Sequence, residues 1–227
     1  MVPRYRSSYG YTLIELLVVL AIIGILASVG VFLSQSPVPA AVKASTSSLA
    51  GAIRNAQTLA LSSGQQVYLR TTGGRTQLPT LEWGFRVLNA DGTLASLGPV
   101  QGTWTLPRAD ARYVSVGVGT SDLTDSSTTP LPSAVPAIAS HVLSSSTIWT
   151  RAFFTGAATP TDDGDCPFFL PTGAINEEFA VTVAGARDGT VFVGGNRISL
   201  IVVSPRSGIS SFAKQNPEDS SSPWTRI

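Results

Sequence analysis

The residue of this sequence most able to do chemistry is a single carboxylate at the start of an apolar stretch. Glu15 follows Tyr-Thr-Leu-Ile at 11–14 and precedes a run from Leu16 to Leu33 that contains no charged residue. A carboxylate in hydrocarbon costs roughly 2.5–3.5 kcal/mol at mid-membrane on insertion scales, and less near the edge. A cost of this size predicts that Glu15 has a partner.

The apolar run is the element that must position Glu15. As an α-helix it would be roughly 27 Å long at about 1.5 Å per residue, close to the ~30 Å hydrocarbon core of a bilayer. Arg4 and Arg6 precede the run, and the positive-inside tendency keeps such residues in the cytoplasm. The sequence therefore predicts a single membrane-spanning helix, with most of the chain outside the cytoplasmic membrane.

Three simpler interpretations of this segment stay open on the residues alone. The segment could be an ordinary cleaved signal peptide, although an acid within the apolar part and the lack of a clear small-x-small cleavage site argue against it. It could be a plain transmembrane anchor. Thr12 and Glu15 also have the Thr-x-x-Glu spacing of a capping box, in which Glu15 would act only on its own helix.

The whole segment 10–15, Gly-Tyr-Thr-Leu-Ile-Glu, resembles the amino terminus of type IV prepilins and type II secretion pseudopilins, the class III signal peptide family. The resemblance implies cleavage between Gly10 and Tyr11 by a prepilin peptidase, which also methylates the new amine of Tyr11. It implies that Glu15 neutralises the amine of a neighbouring subunit. The implied partners are other pilins or pseudopilins in a helical fibre and the assembly platform of the inner membrane.

The composition favours a β-rich domain outside the cell membrane. Charged residues make up 13% of the chain, and glycine, proline, serine and threonine are frequent, which suits such a domain better than a helical cytosolic one. The formal net charge is +1, and loss of Arg4 and Arg6 with the leader keeps the mature chain close to neutral. A single cysteine, Cys166, excludes an intramolecular disulfide.

Beyond the apolar run, the sequence predicts a helix that breaks and then resumes. Pro37 and Pro39 predict the break, because proline removes a backbone donor and clashes with the preceding turn. Apolar residues then recur at helical spacing, as at Leu49 and Ile53, up to Gly64, a residue type typical of helix ends. After Gly64, short alternating segments and turns predict strands.

The predicted fold class is α+β and pilin-like: a long amino-terminal helix, transmembrane in its first half, packed on a globular head with an antiparallel β-sheet. Residues 54–67 and the Phe-x-Pro-x-Gly segment within 168–173 resemble the H-type pseudopilins and FimT-like minor pilins. In chain order, the predicted segments are a cleaved leader over 1–10, a transmembrane and assembly helix over 11–36, a second half-helix over 37–64, a head over 65–213 with a loop at 119–146, and a flexible tail over 214–227.

Other candidate sites have weaker patterns. The acidic residues at 162–165 lack the ligand spacing of a calcium loop, so no metal and no cofactor is predicted. His141 is the only histidine, and no nucleophile-elbow motif accompanies it, so no catalytic residue is predicted. Some FimT-like minor pilins bind DNA through arginines near the carboxyl terminus. Arg206 is the counterpart here, but the Gly-Arg-x-Arg cluster expected there is missing, so only weak nucleic-acid binding is predicted.

The resemblance implies a non-enzymatic minor pilin that is assembled into a type IV pilus for DNA uptake, adhesion or motility. One alternative is a pseudopilin of a type II secretion system. Another is a DNA-capturing minor pilin of a competence pilus. In each case the expected location is the cytoplasmic membrane, with a cytoplasmic amino terminus and a single span, followed by the periplasm or cell surface within a fibre. A membrane-anchored hydrolase has no support in the sequence.

Overall fold

The computed structural model describes residues 13–33, 37–72, 78–117, 148–149, 166–187, 190–191, 198–205, 208–214 and 224–227. The chain forms two compact units, residues 1–36 and residues 37–227. Several predicted features lie outside the described residues. They are Gly10, Tyr11, the loop at 119–146, the acidic residues at 162–165, and Arg206.

The first unit contains helix α1, Leu13–Leu33, with Glu15 as the acidic residue of its first turn. Its large apolar side chains from Leu13 to Ile25 are exposed within this unit. Among the described residues, no helix combines the length and apolar character that a membrane crossing requires.

The second unit begins with helix α2, Val38–Ser63, so the predicted second helix is confirmed. It ends at Gly64, whose φ of 66° is left-handed and whose N–H donates to the Ala60 carbonyl. Glycine adopts this conformation without the steric cost that other residues have. The sequence predicts one long helix with a break, whereas the structure has two helices, and residues 34–36 between them lie outside the described parts.

The two prolines occupy the start of α2. Pro37 is the residue before the first helical position, and its carbonyl accepts the N–H of Ala41 at 3.0 Å. Pro39 lies in the first turn, where a missing N–H leaves no helical hydrogen bond unmade. Pro39 is therefore part of α2 and does not interrupt it. A hinge at this point stays a prediction.

Eleven strands follow among the described residues. They are β1 Val67–Thr72, β2 Thr80–Leu88, β3 Leu94–Thr105, β4 Val114–Val116, β5 Ile148–Trp149, β6 Phe168–Phe169, β7 Phe179–Arg187, β8 Thr190–Val191, β9 Ile198–Ser204, β10 Gly208–Lys214 and β11 Thr225–Arg226.

The strands form two sheets in the described parts of the chain. The first has the order β3-β2-β1-β6 and is antiparallel throughout. The second has the order β11-β10-β9-β7-β4, and β5 and β8 also pair with β7. The predicted antiparallel arrangement holds except between β5 and β7, which are parallel. The chain between Trp149 and Phe179 is long enough for the crossover that a parallel pair needs.

Helix α2 packs on strands of both sheets. The residues that the helical spacing predicts to be buried, among them Leu49 and Ile53, lie in the main core with Leu69, Val181 and Val203. A smaller cluster on the second sheet contains Ala180, Leu200, Val202 and Phe212, with Trp224 packed against it. Burial of one face of α2 against the sheets is thus confirmed.

The carboxyl terminus differs from the predicted flexible tail over 214–227. Lys214 ends β10, and β11 pairs Thr225 and Arg226 with Ala213 and Phe212. The N–H of Ile227 donates to the Ser211 carbonyl at 2.9 Å. The prediction is wrong for these residues, because packing of Trp224 on the smaller cluster holds the last residues against the sheet.

Candidate functional site in the amino-terminal segment

The first turn of α1 presents one charge among apolar side chains. Glu15 is exposed, as are Ile14 and Leu16 on either side of it. From Leu16 to Ile25 every residue is apolar, so this part of the helix has no polar face. A helix that is apolar all round requires apolar surroundings, and in such surroundings a carboxylate needs a positively charged partner.

The other predicted residues of this site are not placed by the structure. Gly10 and Tyr11 lie outside the described residues, so the cleavage site and the amine of Tyr11 have no described geometry. Their roles, and the pairing of Glu15 with a neighbouring amine, stay predictions.

The predicted Phe-x-Pro-x-Gly segment forms a turn that holds α2. Gly173 has a φ of 78°, and its carbonyl accepts a hydrogen bond from Gln57 Nε2 on α2 at 2.8 Å. A Cβ at this position would lie 2.9 Å from Cδ2 of Leu61. The left-handed backbone conformation therefore favours glycine here, while the exposed Leu61 side chain would have to move to admit a Cβ.

Charged side chains of the head gather on one face of the first sheet. We call it the outer face, because side chains alternate along a strand and the intervening residues Val67, Leu69, Leu81 and Trp83 lie in the main core. Arg70 and Glu82 form an ion pair of 3.0 Å there. Burial opposes the charge of Arg70, but the hydrogen bond and the charge of Glu82 outweigh it and raise the pKa of Arg70.

A second arginine on the outer face has a different environment. Arg86 Nη1 donates to Gln66 Oε1 at 2.8 Å, and its guanidinium lies 3.7 Å from the ring centre of Phe168. Burial lowers the pKa of Arg86, and the nearby Cys166 offsets this only in part. No ion pair of Arg86 occurs within the described parts of the chain. The sequence patterns give no signal for this arrangement, because it joins residues of separate strands.

The described residues contain no group of three or more histidine, cysteine, aspartate or glutamate side chains that could hold a metal ion. Arg206, predicted to contact nucleic acid weakly, lies outside the described residues and that role stays a prediction. The amino-terminal segment is therefore the candidate functional site that both the residue pattern and the described geometry of α1 support.

Comparison with known proteins adds one direct match. Residues 5–31 match the family model of the prokaryotic N-terminal methylation motif. No curated protein matches the chain.

Solved structures of a pseudopilin show a distant similarity. One structure of the minor pseudopilin EpsH from the Type 2 Secretion System of Vibrio cholerae is 12% identical and covers 75% of this chain and 94% of that chain, with a TM-score of 0.36. A second structure of EpsH is 13% identical and covers 80% of this chain and 98% of that chain, with the same TM-score. The match of residues 5–31 to the prokaryotic N-terminal methylation motif thus supports the predicted class III signal segment of a type IV pilin or pseudopilin.

Proposed function

We propose that this chain is a non-enzymatic minor subunit of a type IV pilus, cut after Gly10, methylated at Tyr11 and assembled through α1. One observation carries the proposal: the methylation motif of residues 5–31 overlaps α1, and α1 is apolar all round from Leu16 to Ile25, with Glu15 as its only charged residue. A building block that packs its helix among the helices of other subunits needs such a surface.

Glu15 would select the position of a new subunit in the fibre. Cleavage after Gly10 creates a charged amine on Tyr11, and both this amine and the Glu15 carboxylate then enter apolar surroundings. Each charge alone is costly to bury, and a close pair is much less so. In a staggered helical fibre, the amine of one subunit would meet Glu15 of the next, so that one axial register is favoured over others.

The sequence is the basis for an anchor: before assembly, the uncharged apolar run from Leu16 to Leu33 would hold the subunit in the cytoplasmic membrane. Arg4 and Arg6 precede the apolar run and would keep the leader in the cytoplasm, where the prepilin peptidase and the assembly platform act on it. The second unit has its own main core and would stand outside the membrane.

A pseudopilin of a type II secretion system is the second candidate. The resemblance of residues 54–67 and 168–173 to the H-type pseudopilins and FimT-like minor pilins supports a minor subunit in either assembly, and these segments contain the helix end at Gly64 and the turn at Gly173. A DNA-capturing role in a competence pilus is the third candidate and would rest on Arg206.

The test is the intact mass of the protein extracted from membranes and from sheared fibres. We expect a chain that begins at Tyr11 and has one added methyl group. A bulky charged replacement, Gly10→Asp, should leave the chain at full length and absent from fibres. A mature chain that begins at Met1, or one cut after the apolar run, contradicts the proposal. The masses of the other subunits in the same fibres distinguish a pilus from a secretion pseudopilus.

A further inference from the structure

The end of the β2–β3 hairpin has a surface that combines exposed apolar side chains with two opposite charges. We call this surface the hairpin patch, and its residues are Arg86, Leu88, Asp91, Leu94, Leu97 and Val100. Directly opposed residues of an antiparallel pair project to the same side. Arg86 opposes Leu97 and Leu88 opposes Leu94, so these four side chains share the outer face.

The apolar part of the hairpin patch is accessible. Leu88 is 37% exposed and Val100 is 42% exposed, and Leu94 and Leu97 are half-buried. Clustered exposed apolar residues on a sheet face mark interaction sites more often than isolated ones do.

The cation of the patch is half-buried without a described counter-charge. Arg86 is fixed by Gln66 and stacks on Phe168, while no carboxylate within the described residues forms an ion pair with it. An arginine that is already ordered loses little side-chain entropy when it pairs with a carboxylate. Arginine stacked on an aromatic ring is also among the residue arrangements that interfaces favour.

The anion of the patch lies at the turn just beyond Leu88. Asp91 Oδ1 accepts hydrogen bonds from the N–H of Thr93 at 2.9 Å and from Thr93 Oγ1 at 2.6 Å. These bonds fix an exposed carboxylate at the tip of the hairpin, and no ion pair of Asp91 occurs in the described parts of the chain. Along the hairpin, Arg86 thus precedes and Asp91 follows the Leu88–Leu94 pair, and hydrogen bonds order both charged side chains.

We infer that the hairpin patch binds the same patch of a second copy of this chain, with Leu88 and Leu94 near a twofold axis and Arg86 of each copy facing Asp91 of the other. A twofold contact is self-complementary: if residue i meets residue j, then j also meets i. Arg86 and Asp91 satisfy this condition, because the twofold axis creates the Arg86–Asp91 contact once in each direction. The inference goes beyond the proposed function and does not rest on fibre assembly.

The contact is assigned to the sheet face and not to the outer edge of β3, which pairs only with β2 among the described residues. Pro99 lies within β3, and the pairing of β2 with β3 has register shifts near Gly84 and Val87. Proline and bulges are devices that prevent edge-to-edge pairing. The face of the hairpin has no such protection.

The test is sedimentation of a protein that comprises residues 37–227, since this unit is compact and contains the main core without α1. We expect a concentration-dependent dimer that both Arg86→Glu and Asp91→Lys weaken about tenfold or more. A mixture of the two variants should associate again, because each contact then joins opposite charges. Arg112→Glu, an exposed arginine outside the hairpin, should have no effect.

A second variant separates loss of charge from loss of folding. Asp91→Asn keeps an acceptor for Thr93 and should weaken the dimer less than Asp91→Lys does. Circular dichroism and thermal unfolding of each variant show whether the head is folded. A head that stays monomeric up to millimolar concentration overturns the inference, as does a dimer that the charge reversals leave unchanged or that the mixture of variants fails to restore. The intact-mass test of leader cleavage gives the same result in all these cases, so the two proposals fail separately.

Discussion

The indole nitrogen of Trp104 on β3 donates a hydrogen bond of 2.8 Å to Ser48 Oγ on α2. Trp104 is buried in the main core, whereas Ser48 lies on the exposed side of the helix. The bond therefore attaches the far strand of the first sheet directly to the helix, across a long separation in sequence.

This contact predicts a measurable loss of stability. Trp104→Phe keeps most of the packing but removes the donor, so we expect the free energy of unfolding of residues 37–227 to fall by about 1 kcal/mol or more. Trp104→Ala also leaves a cavity and should cost about 3–5 kcal/mol. In a protein that already carries Trp104→Phe, adding Ser48→Ala should lower the free energy of unfolding little further, because the two residues share one hydrogen bond. Urea unfolding of the two single variants, Trp104→Phe and Ser48→Ala, and of the double variant measures these free energies. If the two single losses add up to the loss of the double variant, the hydrogen bond contributes nothing to stability.

Gly84 and Gly51 form a matched pair for a backbone test. A Cβ at Gly84 would lie 2.6 Å from the Pro99 carbonyl oxygen and 2.9 Å from the Tyr68 ring. We expect Gly84→Ala to destabilise the head by about 1–3 kcal/mol through overpacking. At Gly51 on α2 no atom of the described residues lies within 4 Å of an added Cβ, so Gly51→Ala should stabilise by about 0.5–1 kcal/mol. Thermal unfolding should shift in opposite directions, and equal shifts would refute the packing account.

Glu15 distinguishes assembly from helix capping. We expect Glu15→Gln to be cleaved and membrane-inserted but excluded from fibres, because glutamine can serve a capping box but cannot neutralise an ammonium group. Thr12→Ala removes the capping box and keeps the carboxylate, and should still enter fibres. The measurement is the ratio of fibre-bound to membrane-bound protein. Efficient assembly of Glu15→Gln would mean that intersubunit pairing is not required.

Asp91 predicts a dependence of head stability on pH. The hydrogen bonds from Thr93 lower the pKa of the Asp91 carboxyl. A lowered folded-state pKa gives stability that is present above the unfolded value of about 4 and lost as the pH falls through the folded value. We therefore expect the unfolding temperature of the Asp91→Asn head to fall less than that of the unaltered head when the pH is lowered from about 6 to about 2. Parallel losses in both proteins would show that Asp91 does not contribute.

The sequence by itself determined the elements whose causes are local. An uncharged apolar run with one acid at its start is enough to predict α1 and to single out Glu15. Helical spacing of apolar residues followed by Gly64 predicts α2 and its end. Short segments rich in apolar and β-branched residues predict much of β1, β2, β4, β7 and β9. Alternation marks a strand with one buried side, whereas β4 and β9 are buried at every residue and are marked by their short apolar runs.

Only the tertiary structure decided what depends on pairing between distant segments. The first part of β3 contains Gly98 and Pro99, which disfavour a strand, yet it pairs with β2 through register shifts. No local pattern in the sequence predicts which strands pair in the second sheet. The same holds for the parallel pairing of β5 with β7 and for the pairing of the carboxyl-terminal β11 with β10. The stacking of Arg86 on Phe168 belongs to the same class, because its energy comes from a contact between strands that the order of residues along the chain does not specify.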